Sequence, residues 1–243
     1  YTNANDDDET PNNSTQTVEN VLESFQRTAE NITNNVIRLI NKCTGTGKDS
    51  TLNVTLENVN IDVSKGNDAA LSVEGAGNTT ITLKGDNYLT SSGTHAGLEH
   101  NEERTGTTGK LTITSETDKN GNNTGSLTAT GSGASAGIGS VWNSGNYSDS
   151  GAGDIEITGG DITAIGASDG AGIGSGSGAT GETNITISGT AKIIKAQTKQ
   201  NGAGIGSGAN SSGTTTINIT GGTIETAQGG GGGAGIGSGF DTT

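Results

Sequence analysis

Apolar and polar residues alternate in six segments of the chain. In each segment every second residue is aliphatic, and the residues between are threonine, serine, asparagine or charged. A period of two is typical of β-strands with one buried face, so we expect the aliphatic residues to stack as an inward ladder. The segments are 52–56, 80–84, 110–114, 154–158, 184–188 and 215–219, with inward pairs Val54/Leu56, Ile81/Leu83, Leu111/Ile113, Ile155/Ile157, Ile185/Ile187 and Ile217/Ile219.

The pentapeptide AGIGS recurs between these segments. It begins at Ala136, Ala171, Ala203 and Ala234, with spacings of 35, 32 and 31 residues. Spacings of this size are typical of stacked supersecondary units that cannot bury their apolar faces alone. We expect each copy to supply one strand of a coil, with its alanine and isoleucine pointing inward and its glycines outward.

Two further sets of segments complete the predicted coil. A second strand follows the first after a glycine-bearing turn, as at 161–165 and 223–227. Earlier coils carry 69–73 and 96–100 in place of AGIGS. The repeats therefore predict a parallel β-helix over residues 46–243, with about six coils.

Residues 17–45 follow a different period. Apolar residues recur there at alternating spacings of four and three, which predicts an amphipathic α-helix with one continuous seam. Two roles stay open for the seam: a lid across the open end of the solenoid, or a contact with another subunit. The seam comprises Val18, Leu22, Phe25, Ala29, Ile32, Val36, Leu39 and Cys43.

The two ends of the chain suggest a partner molecule. Residues 1–16 are an acidic, polar arm, and the residues after the last AGIGS carry no recognisable polar cap. An uncovered coil presents unpaired backbone groups that template another chain. We therefore expect head-to-tail association, with contacts at Val18, Leu22, Phe25, Ile32, Val36, Leu39 and Phe240.

Composition narrows the class further. Glycine supplies 44 of 243 residues, apolar residues 27% and aromatics 2%, which is too little for an ordinary two-layer core but suits a thin solenoid. The net charge of −14 argues against nucleic acid as a partner. No stretch is apolar enough to span a bilayer. The single cysteine, Cys43, permits no internal disulfide.

Part of the chain resembles a known class of protein. The run from Val54 to His100, the run from Gly125 to Ser140 and the GAGIGSG copies are similar to the right-handed parallel β-helix repeats of bacterial, mostly Firmicutes, surface proteins. Those proteins are often labelled carbohydrate-binding domain-containing proteins or adhesins. The resemblance implies an all-β fold, a right-handed parallel β-helix, at the cell surface or outside the cell.

Residues with chemical potential are sparse. Asp149, Asp154 and Glu156 predict a calcium site through oxygen ligands, with a solvated acidic face as the alternative. We expect no other cofactor. His95, Glu99, His100, Glu102 and Glu103 form a histidine cluster that lacks a metalloprotease motif. No acid–base pair indicates catalysis, so we expect no catalytic residues and no enzyme activity.

Two aromatic residues and several sequons mark the surface. Trp142 and Tyr147 lie in a glycine- and serine-rich connection, where they either stack on sugar rings or pack on a neighbouring coil. Asn-x-Ser/Thr sequons predict glycosylation in a host that modifies secreted proteins. Those considered as sites are Asn53, Asn78, Asn146, Asn184, Asn210 and Asn218.

Two functions therefore stay open on sequence grounds. The first is a structural subunit of an extracellular filament, a homopolymer joined through the β-helix ends and the N-terminal arm and helix. The second is a carbohydrate-binding adhesive module of a surface protein, whose partner is a polysaccharide or glycan. The uncapped end and the regular seam favour the filament.

Overall fold

The computed structural model describes an all-β protein. It covers residues 2–3, 16–17, 34–42, 51–102, 108–143 and 151–243, with the backbone alone for the first two ranges. Every regular element within these residues is a strand, and no helix occurs among them. Most of the predicted acidic arm and most of the predicted helix lie outside the described residues, and the described residues of the arm lie in strands, at Thr2–Asn3 and Gln16.

The described residues form 21 strands. They are β1 Thr2–Asn3, β2 Gln16–Thr17, β3 Ile37–Asn41, β4 Leu52–Glu57, β5 Asn60–Asp62, β6 Leu71–Glu74, β7 Thr79–Thr90, β8 Leu98–His100, β9 Leu111–Ser115, β10 Gly125–Thr130, β11 Ile138–Gly139, β12 Gly153–Ile157, β13 Asp161–Ile165, β14 Ile173–Gly174, β15 Thr183–Ile187, β16 Lys192–Gln197, β17 Ile205–Gly206, β18 Thr215–Ile219, β19 Thr223–Ile224, β20 Ala227–Gln228 and β21 Ile236–Gly237.

The strands stack in parallel on three faces. Face A is an eight-stranded sheet in the order β1-β3-β6-β8-β11-β14-β17-β21. A 13-stranded sheet makes the other two faces and bends within β7. Face B holds β2, β4, the first half of β7, β9, β12, β15 and β18. Face C holds β5, the second half of β7, β10, β13, β16, β19 and β20. The coils from β3 to β20 therefore each contribute a strand to every face, while the number of coils and the handedness stay predictions.

The predicted inward ladder is confirmed. The aliphatic pairs of the first five alternating segments are at most 2% exposed. Their register is continuous from coil to coil, as in the column of Ile81, Ile113 and Ile157. Full burial of one such side chain contributes about 1.5–3 kcal/mol, so this ladder is the main source of stability in a chain with few aromatic residues.

The bend within β7 is held by a buried amide. Asn87 is completely buried and lies opposite the inward Leu127 of β10. Its Oδ1 accepts a hydrogen bond from the Val59 N–H at 3.0 Å, and its Nδ2 donates to the Ser126 carbonyl at 3.0 Å. Because these partners lie in the coils on either side, Asn87 joins three coils where the strand changes face.

The predicted helix is wrong over residues 37–41. These residues form β3, which pairs in parallel with β6 through Ile37 opposite Leu71 and Leu39 opposite Val73. The segment satisfies a period of two as well as a period of 3.5, because Ile37 and Leu39 are buried while Arg38 between them is exposed. Pairing with β6 and burial in the ladder decide between the two patterns.

The expectation that the AGIGS glycines face outward is also wrong. Gly137 and Gly139 are buried, and each lies against backbone. A Cβ added to Gly137 would lie 2.5 Å from the Ile165 nitrogen, and one added to Gly139 would lie 1.8 Å from the Gly174 oxygen. Gly139 also has a φ of +131°. Close packing of successive coils therefore requires glycine at these positions.

Candidate functional site

The solenoid exposes core side chains at one end. We call the outer side of β18, β19, β20 and β21 the C-terminal end face. Ile219 and Ile236 are each 44% exposed there, whereas Ile187 and Ile205, one coil earlier in the same columns, are completely buried. Ile217, Ile224 and Ala227 of this face are only partly buried. The C-terminal end face is therefore an apolar surface formed by the inward-pointing aliphatic residues of the last strands.

The strands of this face also have open edges. Among the described residues, β18 pairs only with β15, β19 and β20 pair only with β16, and β21 pairs only with β17. The outer edge of each strand thus has no neighbouring strand in this part of the chain. Open edges of this kind accept additional strands.

Phe240 is fixed beside the face. The residue is 53% exposed and its ring packs over Gly232, while its backbone N–H donates to the Asn201 carbonyl at 2.8 Å. Its carbonyl accepts from the Asn210 N–H at 2.9 Å. The predicted contact residue is therefore held on both sides by backbone hydrogen bonds.

The other predicted contact residues are distributed differently. Val36 is 37% exposed, next to β3 at the opposite end of the solenoid, whereas Leu39 is 4% exposed and packs in the core. Leu39 therefore stabilises the ladder rather than a surface. The remaining four, Val18, Leu22, Phe25 and Ile32, lie outside the described residues.

The structure brings together part of the histidine cluster. His95 Nδ1 lies 2.8 Å from Glu99 Oε2, and Asn101 Nδ2 donates to Glu99 Oε1 at 2.9 Å. The hydrogen bond to Glu99 raises the pKa of His95, partial burial opposes this, and the nearby Asp68 raises the pKa further. Glu102 instead accepts the Glu182 N–H at 2.5 Å. Glu103 lies outside the described residues.

His100 is completely buried at the end of β8. Its Nδ1 lies 2.6 Å from the Ala152 carbonyl and its Nε2 lies 2.9 Å from the Gly109 carbonyl. Burial lowers the pKa of His100, while the two carbonyls and Asp154 act in the opposite direction. A neutral imidazole donates to only one of these carbonyls at a time. The ring lies between the connection before β9, which carries Gly109, and the connection before β12, which carries Ala152, and so links the two.

We expect opposite effects of pH at the two histidines. The pKa of His95 is raised, so its contribution to stability is present below the ordinary value of 6.5 and is lost as pH rises through the folded pKa. The pKa of His100 is lowered, so its contribution is present above 6.5 and is lost as pH falls through the folded pKa.

The urea midpoint of unfolding, measured at pH values on both sides of 6.5, tests the expectation. His95→Gln should remove the decline on the alkaline side and leave the acidic decline unchanged. The chain has only two histidines, so their NMR titrations show directly which of them causes the decline on each side. An unchanged alkaline decline in His95→Gln would contradict the role given to the pair with Glu99.

The exposed aromatic rings lie on different sides of the coil. Trp142 follows β11 of face A and is 36% exposed, and its backbone N–H donates to Ser135 Oγ at 2.9 Å. Tyr88, which the sequence analysis did not select, is 38% exposed on face C. Tyr147 lies outside the described residues. The described rings therefore do not form a shared platform for sugar stacking.

The acids of the predicted calcium site have protein partners. Asp154 and Glu156 point outward from β12, where Asp154 accepts from Asn184 Nδ2 at 2.9 Å and Glu156 pairs with Lys110 at 2.5 Å. Asp149 lies outside the described residues. Within those residues no group of three His, Cys, Asp or Glu side chains is placed to hold a metal ion. The calcium site stays a prediction.

The sequons differ in their surroundings. Asn210 and Asn218 are exposed, and Asn210 has a φ of +56°. Asn78 Oδ1 accepts the Lys110 N–H at 2.9 Å, so its amide contributes to coil stacking. Asn53 and Asn184 are partly exposed on face B, and Asn146 lies outside the described residues. Asn210 and Asn218 are therefore the most accessible acceptors in the described part of the chain.

Parallel strands wound on three faces around an aliphatic interior define a β-helix repeat protein. Residues 155–177 and 217–240 match a family model described as a beta helix repeat. The matched stretches run from β12 to just beyond β14 and from β18 to just beyond β21, so each covers a first strand, a second strand and an AGIGS strand. A search of curated proteins and a search of solved structures each found no match.

In the part of the chain that the structure describes, no helix has the length and apolar character needed to cross a bilayer.

Proposed function

We propose that this chain is a non-enzymatic structural subunit of an extracellular surface or matrix filament, assembled head to tail through the ends of the β-helix. The observation that carries this proposal is the C-terminal end face, where Ile219 and Ile236 are exposed beside open strand edges. Apolar side chains next to unpaired backbone favour the addition of a further coil.

The geometry of the stack favours a second copy as the partner. All strand pairs of the three faces are parallel, so the two ends of the solenoid differ and each complements the other rather than itself. Contact between unlike ends is heterologous, and a heterologous contact without ring closure produces an open filament. At the opposite end, the outermost described strands of the three faces are β1, β2 and β5.

Apolar burial favours growth along the axis rather than side by side. The chain carries a net charge of −14, so copies repel one another at long range in any orientation. The C-terminal end face exposes Ile219, Ile236 and Phe240, and their burial offsets this repulsion. End-on contact is therefore the less costly mode of association.

Lysine at the end face should abolish assembly. The double variant Ile219→Lys, Ile236→Lys places two cations on the surface that the next copy would bury, and unpaired buried charge is strongly unfavourable. Sedimentation and electron microscopy should show filaments for the unmodified chain and particles of 23.9 kDa for the variant.

A matched control separates the end face from surface charge in general. Tyr88→Lys introduces a cation at a site of similar exposure, 38%, on the lateral face C. This variant should assemble like the unmodified chain. Filaments of unchanged length from the double variant would overturn the proposal.

A further inference from the structure

A hairpin interrupts the regular coil between β9 and β10. Residues 116–124 double back on themselves, with Thr117 opposite Asn123 in an antiparallel bridge. Residues 116–122 are all exposed. The tip of this hairpin therefore projects from the solenoid, whereas its base adjoins the coil.

The base of the hairpin is fastened to two later coils. Asn123 Nδ2 donates to the Thr190 carbonyl at 2.8 Å and to Asp161 Oδ1 at 3.2 Å. The Thr190 hydroxyl donates back to Asn123 Oδ1 at 3.0 Å. Asp161 begins β13 and Thr190 precedes β16, and these strands follow β10 in face C. One asparagine side chain therefore links three successive coils.

An Asn-Gly pair lies at the tip of the hairpin. Asp118 Oδ1 accepts the N–H groups of Asn120 and Asn122, at 2.8 and 2.9 Å. The Gly121 N–H donates to the Asp118 carbonyl at 2.9 Å. Gly121 has a φ of +81°, and no atom lies within 4 Å of its added Cβ. Because the tip is exposed, this turn opens by a local fluctuation that leaves the core covered.

The chain contains one other Asn-Gly pair, and this pair is packed between coils. Asn201 Nδ2 donates to Asp169 Oδ1 at 2.8 Å, and the Asn201 carbonyl accepts the Phe240 N–H at 2.8 Å. Gly202 is buried, and a Cβ added to it would lie 2.5 Å from the Gly170 oxygen. Movement of this backbone therefore requires separation of neighbouring coils.

We propose that Asn120 is a site of spontaneous deamidation. Asparagine is among the thermolabile residues, and glycine has no side chain to shield the nitrogen that attacks. When the turn opens, a bond forms between the Gly121 nitrogen and Asn120 Cγ as the bond from Cγ to Nδ2 breaks. Nδ2 leaves as ammonia with the proton of the Gly121 amide.

Water then opens the cyclic imide in one of two ways. Hydrolysis at Cγ gives an aspartate, and hydrolysis at the main-chain carbonyl of residue 120 gives a β-aspartyl linkage. The β-aspartyl linkage lengthens the main chain by one atom within the turn that Gly121 and Asp118 close. The hairpin should then no longer hold Asn123 in position for its bonds to Thr190 and Asp161.

Peptide mapping by mass spectrometry tests the site on the full chain. At mildly alkaline pH, Asn120 should be converted at least about tenfold faster than Asn201 in the folded protein, and at a similar rate in the urea-unfolded chain. Asn120→Gln is the control, because its longer side chain must close a less favourable ring, and it should remain unmodified. Conversion of Asn201 as fast as Asn120 in the folded protein would overturn the proposal.

Hydrogen exchange tests the effect on the hairpin. The Asp118 N–H donates across it to the Asn122 carbonyl at 2.8 Å, so residues 116–124 should exchange faster in the β-aspartyl protein. Asn120→Asp is the matched control, because it introduces the charge without the longer main chain, and its exchange should stay close to that of the unmodified chain. Unchanged exchange in the β-aspartyl protein would refute the loosening of the hairpin.

Discussion

Gly174→Val should lower the free energy of unfolding by about 4 kcal/mol or more. The residue has a φ of +131°, and its added Cβ would lie 1.9 Å from the Gly206 carbonyl oxygen. Backbone of the next coil cannot move aside without breaking the bonds that join β14 to β17. Urea unfolding followed by circular dichroism measures the loss.

Gly121→Val separates the two causes of this loss of stability, which are backbone strain at a positive φ and steric contact with the next coil. Gly121 also has a positive φ, +81°, but no atom lies within 4 Å of its added Cβ. Backbone strain alone should cost about 1–2 kcal/mol at this position. Equal losses for the two variants would show that the close contact between coils does not constrain the AGIGS motif.

Ile173→Ala should lower the free energy of unfolding by about 3 kcal/mol. Ile173 is completely buried in the AGIGS column, so truncation leaves a cavity between the coils on either side. Ile236 occupies the same position of the motif but is 44% exposed at the C-terminal end face. Ile236→Ala should therefore cost less than about 1 kcal/mol.

The comparison is made on the monomer, at concentrations below those that permit assembly. A loss for Ile236→Ala as large as that for Ile173→Ala would mean that the last copy is covered in the isolated molecule. The C-terminal end face would then not be open.

Much of the fold could be predicted from the alternation of residues. The segment 161–165 was expected as a strand and forms β13 with the same bounds. The ladder position of Ile155 and Ile157 follows from the same pattern. The prediction succeeds because each strand buries only one face, so that burial is recorded in the sequence as a strict period of two.

Other parts depend on contacts that no local pattern contains. Residues 37–41 fit a helical seam as well as a strand, and only pairing with β6 selects the strand. The AGIGS glycines were expected to face solvent, because the sequence pattern does not show that the backbone of the next coil packs against them. Asn87 lies inward at the bend of β7, where the pattern would require an aliphatic residue.

The candidate site was predicted in part. Phe240 was expected at an open end and is exposed there. Ile219 was assigned to the inward ladder, which is correct for its direction, but its exposure depends on the absence of a following coil among the described residues.

The most direct test of end-on assembly is sedimentation equilibrium of the unmodified chain over a range of concentrations. If one copy adds to the C-terminal end face of another, the average mass rises continuously from 23.9 kDa and filaments appear in micrographs of the same samples. A mass of 23.9 kDa at every concentration would contradict the account.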